Sequence, residues 1–230
     1  MTVEKRFKYG LGFNFNYTYQ KALGDDGDSY TFIYNRPLGR GNRDNIQRNQ
    51  FMWAPTYELP FGHGRKFGAS TNKVVDAALG GWTVSGITTY YSGRPFTPSI
   101  GNIPASAIRP NAGPADRPDV GAKDPYAGAA GDRTGFFVGC PTGILGCGAF
   151  ALPANNTFGN LPIRSLFGPH FINQDLSLAK TFQVKEKYRL SLRGESFNAA
   201  NHTNLGDPNG NVTSPRCGEN NRSCTKLIHA

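Results

Sequence analysis

The sequence predicts an all-β chain, an antiparallel up-and-down segment of a transmembrane β-barrel: about five strands of a larger barrel joined by long outer loops. Residues 11–19, Leu-Gly-Phe-Asn-Phe-Asn-Tyr-Thr-Tyr, put Leu11, Phe13, Phe15, Tyr17 and Tyr19 on one side of a strand and Gly12, Asn14, Asn16 and Thr18 on the other. A strand alternates faces with period two, so one face is apolar or aromatic throughout and the other small or polar. In a barrel the aromatic face meets lipid; in a soluble β-sandwich, the alternative reading, it meets a packed core. Connection lengths are the second observation: short, Gly-rich links alternate with long polar segments at 22–45, 97–170 and 198–230. Structureless loops that long are rare in compact soluble domains, whereas barrels pair short turns on one side with long loops on the other. Third, no apolar run approaches the length of a membrane helix, while aromatic residues reach 12%.

The first strand is expected near 7–21 and the second near 46–60, where Phe51, Trp53, Tyr57 and Leu59 share a face with Pro55. A proline there marks an edge or a bulge. The third is expected near 82–96, rich in Thr, Val, Ile and Tyr. In the fourth, near 171–182, Ile172, Leu176, Leu178 and Phe182 alternate with Asn173, Asp175 and Ser177. In the fifth, near 188–197, Tyr188, Leu190 and Leu192 alternate with Arg189, Ser191, Arg193 and Glu195. Asn14, Asn16, Arg193 and Glu195 are therefore the lumen-facing candidates. A helical turn is expected at 73–79. Within 97–170, Phe136, Phe137, Ile144, Leu145 and Phe150 argue that part of the loop packs around Cys140 and Cys147.

The 230 residues carry a formal charge of +9 and a mean hydropathy of −0.46. The arginines are scattered through the loops, not gathered on a helix or in one run, which speaks against nucleic acid as a partner. Arg36, Arg40, Arg43, Arg109, Arg117 and Arg133 are the outer-loop cations that would hold an anionic ligand or lipopolysaccharide; the plain reading is solvated charge. The four cysteines form two local pairs, Cys140/Cys147 and Cys217/Cys224. Their spacing is too wide for a zinc knuckle and suits loop disulfides in an oxidising compartment. The acidic run Gly24-Asp-Asp-Gly-Asp28 lacks the calcium-loop pattern and reads as a solvated turn. No nucleophile elbow, phosphate loop or dinucleotide fingerprint occurs, so neither an enzyme nor a cofactor or metal site is expected. The opening Met1-Thr-Val-Glu-Lys-Arg-Phe-Lys has no apolar signal core. Such a chain is expected either to stay inside the cell or to be a portion whose true start lies elsewhere.

Three stretches then carry a resemblance. They are Tyr57-Glu-Leu-Pro-Phe-Gly-His-Gly-Arg65, Gly80-Gly-Trp-Thr-Val-Ser-Gly-Ile-Thr-Thr-Tyr-Tyr-Ser-Gly-Arg-Pro-Phe-Thr97 and Gly194-Glu-Ser-Phe-Asn-Ala-Ala-Asn-His-Thr-Asn204, with Phe158-Gly-Asn and Asn173-Gln-Asp-Leu-Ser-Leu-Ala-Lys180 between them. Together they resemble the C-terminal barrel of TonB-dependent outer-membrane receptors of the large Oar-like type, common in acidobacteria, which carries a carboxypeptidase-regulatory-like domain. The resemblance implies a location in the bacterial outer membrane, in contact with its lipid and lipopolysaccharide. It also implies coupling to the TonB energy complex through a plug domain, and uptake of a bulky ligand such as a siderophore or glycan. No plug precedes these strands, and the tail from Cys217 departs from the family pattern. The chain is therefore expected to be an incomplete C-terminal portion of such a receptor.

Overall fold

The computed structural model describes residues 1–25, 36–62, 65–67, 75–76, 79–100, 117–127, 149–154, 159–185 and 188–212. In chain order the elements are β1 (Thr2–Lys8), β2 (Leu11–Tyr19), β3 (Leu23–Asp25), the single helical turn α1 (Arg36–Gly39), β4 (Arg40–Asn42), β5 (Asn49–Glu58), β6 (Trp82–Tyr91), β7 (Pro95–Phe96), β8 (Asp119–Val120), β9 (Phe150–Ala151), β10 (Leu166–Phe167), β11 (Phe171–Lys185) and β12 (Tyr188–Ser196). The chain divides into two compact units. The first joins Met1–Tyr19, Asn49–Tyr91 and Ile172–His202; the second joins Gln20–Arg48, Ser92–Phe171 and Thr203–Ala230.

The first unit is a 6-stranded sheet in the order β1-β2-β5-β6-β11-β12. It is a meander in which each strand hydrogen-bonds the sheet strand before it in the chain, antiparallel wherever register is defined. The sheet thus has one strand more than the sequence suggested. Thr2–Lys8 pairs with β2 through Val3 opposite Phe15 and Lys5 opposite Phe13, with a bulge between Lys5 and Lys8. The expected strand from residue 7 is instead a hairpin turned at Tyr9 and Gly10, both at positive φ, 57° and 79°. Two left-handed central residues match the twist of the flanking strands.

Pro55 sits in the middle of β5, opposite Phe13 of β2. On the β6 side the ladder runs from Trp53 opposite Thr88 to Thr56 opposite Ser85 and skips Ala54 and Pro55. Proline has no N–H to give the ladder, so the strand keeps its register and loses one rung. The expected third strand, 82–96, divides. β6 stops at Tyr91, and Pro95–Phe96 pairs with Leu166–Phe167 in a separate 2-stranded sheet. The break falls at Gly93, whose α-carbon lies so close to the Gly168 carbonyl that a β-carbon would collide with it.

The second unit has the core. Ile100, Ala149, Phe150, Leu161, Leu166 and Val212 form one buried cluster with Phe96 packed against it. Three 2-stranded ladders frame it, β7 with β10, β3 with β4 and β8 with β9. Parallel bridges join Gly41 to Ile163 and Ser99 to Asn211. Phe150 of the expected packed segment is fully buried; Phe136, Phe137, Ile144 and Leu145 lie outside the described residues, as does part of the expected helical turn at 73–79.

Candidate functional site

The strand registers, together with Leu176 lying against Gly86 and the Lys180 ammonium over the Trp82 ring, sort the sheet into two faces. One carries Phe13 and Phe15 of β2, Pro55, Trp53 and Phe51 of β5, Thr88 and Tyr90 of β6, Leu178 and Phe182 of β11, and Leu190 of β12. Phe51 stacks between Phe15, at a ring-centroid distance of 6.3 Å, and Tyr90, at 5.1 Å, which locks three neighbouring strands by one aromatic row. No apolar residue of this face belongs to a buried core, and Trp53, Leu178 and Leu192 are more than two-fifths exposed.

The opposite face is polar. Asn14 and Asn16 lie there, and the Thr2 hydroxyl donates to Asn16 Oδ1 at 2.9 Å while Asn16 Nδ2 donates to Asn14 Oδ1 at 2.8 Å. On β11 and β12, Arg193 Nε donates to Ser177 Oγ at 3.2 Å and its guanidinium pairs with Glu195. Thr181 and Ser191 share a hydrogen bond of 3.2 Å. The four lumen-facing candidates therefore share one face, at its two ends. Arg193 and Glu195 form a pair, while the asparagines form a separate amide row.

The chain leaves the sheet after β2, β6 and β12 and returns at β5 and β11; antiparallel order sets all five of these strand ends along one end of the sheet. At the other end two of the three links are short. Tyr9-Gly10 joins β1 to β2, and residues 186–187 join β11 to β12. The β5–β6 link closes on itself: Leu59 N–H donates to Trp82 O at 2.9 Å and Gly62 N–H to Phe67 O at 2.9 Å. Gly62 and Gly80 lie under the Asp76 carboxylate, too close for a β-carbon at either. After β12, Asn198 sits at positive φ, 48°. Its N–H donates to Asp175 Oδ1 at 2.9 Å, and its side chain donates to and accepts from the His202 backbone at 3.0 Å. The Gly-Trp and Asn-Ala-Ala-Asn-His stretches are thus turn and strand-end fasteners.

A family model described as an outer membrane beta barrel domain matches residues 1–226. The chain belongs to the outer membrane beta barrel domain family. The antiparallel sheet is accordingly a segment of such a barrel, and the protein resides in the bacterial outer membrane. No match was found among curated proteins or solved structures. In barrels of this family the outward apolar band meets lipid directly, which explains why the aromatic row lies open.

The cationic candidates scatter within the second unit. Arg40 on β4 and Arg43 just beyond it are both exposed, and Arg36 lies in α1. Arg117 is only 6% exposed and donates to the Leu161 carbonyl at 2.8 Å, so it braces the packing around Leu161. Arg109, Arg133, Cys140, Cys147, Cys217 and Cys224 lie outside the described residues. Two arginines outside the candidate set are better organised. Arg48 lies over the Phe167 ring at 4.3 Å and donates to Asn42 Oδ1 at 3.4 Å. Arg164, at positive φ, 51°, accepts from Asn42 Nδ2 through its carbonyl at 2.7 Å and donates to the Asn42 carbonyl at 3.3 Å. Asn42 and Arg164 are 122 residues apart, so no local spacing announced them. Tyr126 grips the β10 backbone: its hydroxyl donates to Phe167 O at 2.9 Å and accepts from Phe167 N–H at 2.7 Å. Burial pushes this phenol above its ordinary value, against the opposing pull of the Phe167 hydrogen bond.

Proposed function

We propose that the chain forms wall and outer loops of a TonB-dependent receptor that takes up a bulky ligand such as a siderophore or glycan. The observation that carries this reading is the second unit. A wall needs only turns between its strands, yet the segments leaving one end of this sheet belong to a unit with its own buried core. Such an investment suits ligand selection on the outer side, because barrels of this family direct long loops outward. The resemblance of the 57–65, 80–97 and 194–204 stretches to Oar-like receptors supports it further. In this reading Asn14, Asn16, Arg193 and Glu195 line the lumen, and gating belongs to a plug coupled to the TonB complex. Uptake of a panel of ferric siderophores and oligosaccharides, compared in cells with the gene intact, disrupted, or with TonB removed, tests it. Loss of one ligand's uptake in both altered strains is expected; uptake of every ligand unchanged by disruption would reject the reading.

Within this reading the outer-loop cations Arg40 and Arg43 contact an anionic ligand or lipopolysaccharide, together with Arg36, Arg109 and Arg133. Arg40→Ser with Arg43→Ser is expected to weaken lipopolysaccharide or ligand retention about fivefold or more. Unchanged retention would leave these arginines as solvated charge.

A further inference from the structure

At the short-turn end of the sheet, lysines sit on aromatic rings. Lys8 Nζ is 5.0 Å from the ring centre of Tyr9 in the first hairpin. Lys66 Nζ is 5.6 Å from that of Phe67 in the β5–β6 link. Lys180, 4% exposed, holds its ammonium 5.3 Å from the Trp82 ring and 4.9 Å from that of Phe182. The rings belong to the wall and its rim: Trp82 begins β6 and Phe182 stands opposite Leu190 on the apolar face. Glu58, beside the first hairpin, pairs with Arg65 at 2.9 Å. Lys8 and Lys66 are exposed.

We infer that this end of the sheet is a docking surface for the headgroups of anionic phospholipids in the periplasmic leaflet. Short turns of outer-membrane barrels face the periplasm, and aromatic rings anchor at the headgroup level. Lys8 and Lys66, exposed beside such rings, present their ammonium groups at the depth of the lipid phosphate, where each cation adds attraction to an anionic surface, while the buried Lys180 fixes the Trp82 ring. The outer leaflet's lipopolysaccharide meets the opposite end of the strands. The inference rests on family membership and does not depend on the receptor reading.

The chain has two tryptophans, Trp53 and Trp82, so Trp53→Phe leaves a reporter beside Lys180 and Trp82→Phe leaves one within β5. The full chain in non-ionic detergent micelles is titrated with brominated phosphatidylglycerol or brominated phosphatidylcholine, and tryptophan quenching gives the relative association of each lipid. Phosphatidylglycerol is expected to associate about threefold to fivefold more tightly at Trp82 and without preference at Trp53. Lys8→Gln with Lys66→Gln, both exposed positions, is expected to reduce that preference at least about twofold while the far-ultraviolet strand signal stays unchanged. Equal association of the two lipids at Trp82, or a preference untouched by the double substitution, overturns the inference. A preference abolished by inorganic phosphate at matched ionic strength assigns the cations to free anions and overturns it too.

Discussion

In the sheet, Phe13, Phe15, Phe51 and Leu178 line a face on which no apolar side chain is buried, whereas in the loop unit Phe150 and Val212 expose no surface at all. Both units are built from β-ladders and similar apolar residues. What differs is the solvent each expects. The loop unit gathers its apolar side chains inward, as water requires. The sheet spreads them outward, where lipid supplies the contacts that a core would otherwise provide. A side chain's worth therefore depends on the unit it belongs to.

The largest break in that contrast is expected at Phe150. Phe150→Ala removes a fully buried ring and should cost the loop unit about 3–5 kcal/mol. Limited proteolysis should show faster cleavage within residues 92–171 while the sheet's strand signal persists; equal resistance would mean that Phe150 is not the centre of the core. Next come paired charges on adjacent residues of β2. Phe13→Lys places a cation on the lipid-facing side at a cost of about 2–4 kcal/mol if the position lies near the bilayer midplane. Asn14→Lys, one residue on and on the polar face, should stay within about 0.5 kcal/mol. Urea unfolding from lipid vesicles separates the two, and equal costs would mean that the two faces are not differently solvated.

The smallest effect is expected at Tyr126. Tyr126→Phe removes both hydrogen bonds to Phe167 and should cost about 1 kcal/mol. Because burial raises the folded phenol above the ordinary tyrosine value of 10.0, its contribution is full below that value and is lost as the pH rises through the raised one. Proteolytic resistance of the loop unit should therefore fall at strongly alkaline pH in the native chain, and fall less in the phenylalanine variant. Identical alkaline profiles would count against the Tyr126 clamp.

The face pattern was legible in the sequence where period two is clean. Phe13, Phe15 and Tyr17 against Asn14 and Asn16 gave the orientation of β2, and Leu190 and Leu192 against Arg189 and Arg193 gave that of β12. β1 was not legible, because Lys5 falls on the same side as Val3 and blurs the alternation. Its turn also places a tyrosine at positive φ, where glycine or asparagine is the usual signal. The loop unit's core was hidden for a different reason. Phe150 was read as part of a packed segment, but Ile100, Leu161 and Val212 stand among polar, Gly and Pro residues, so no local period marks them as its partners. Of the candidate site, the polar-face residues followed from alternation alone. Arg117, in contrast, reads from sequence like any other loop cation, and only the Leu161 carbonyl beside it distinguishes a brace from a surface charge.

The bridges from Gly41 to Ile163 and from Ser99 to Asn211 bear on how such loops can diversify. Each ties together segments that leave the sheet at different strands, and Ile100 and Val212 share one cluster across the same divide. A β-carbon at Gly41 would strike the Ile163 carbonyl, so even a conservative change in one segment is felt in another. The loops therefore form one heritable unit: a graft that exchanges 92–171 alone would leave Gly41 and Val212 facing a stranger, and new specificities would spread through this scaffold by exchanging all the segments as a set.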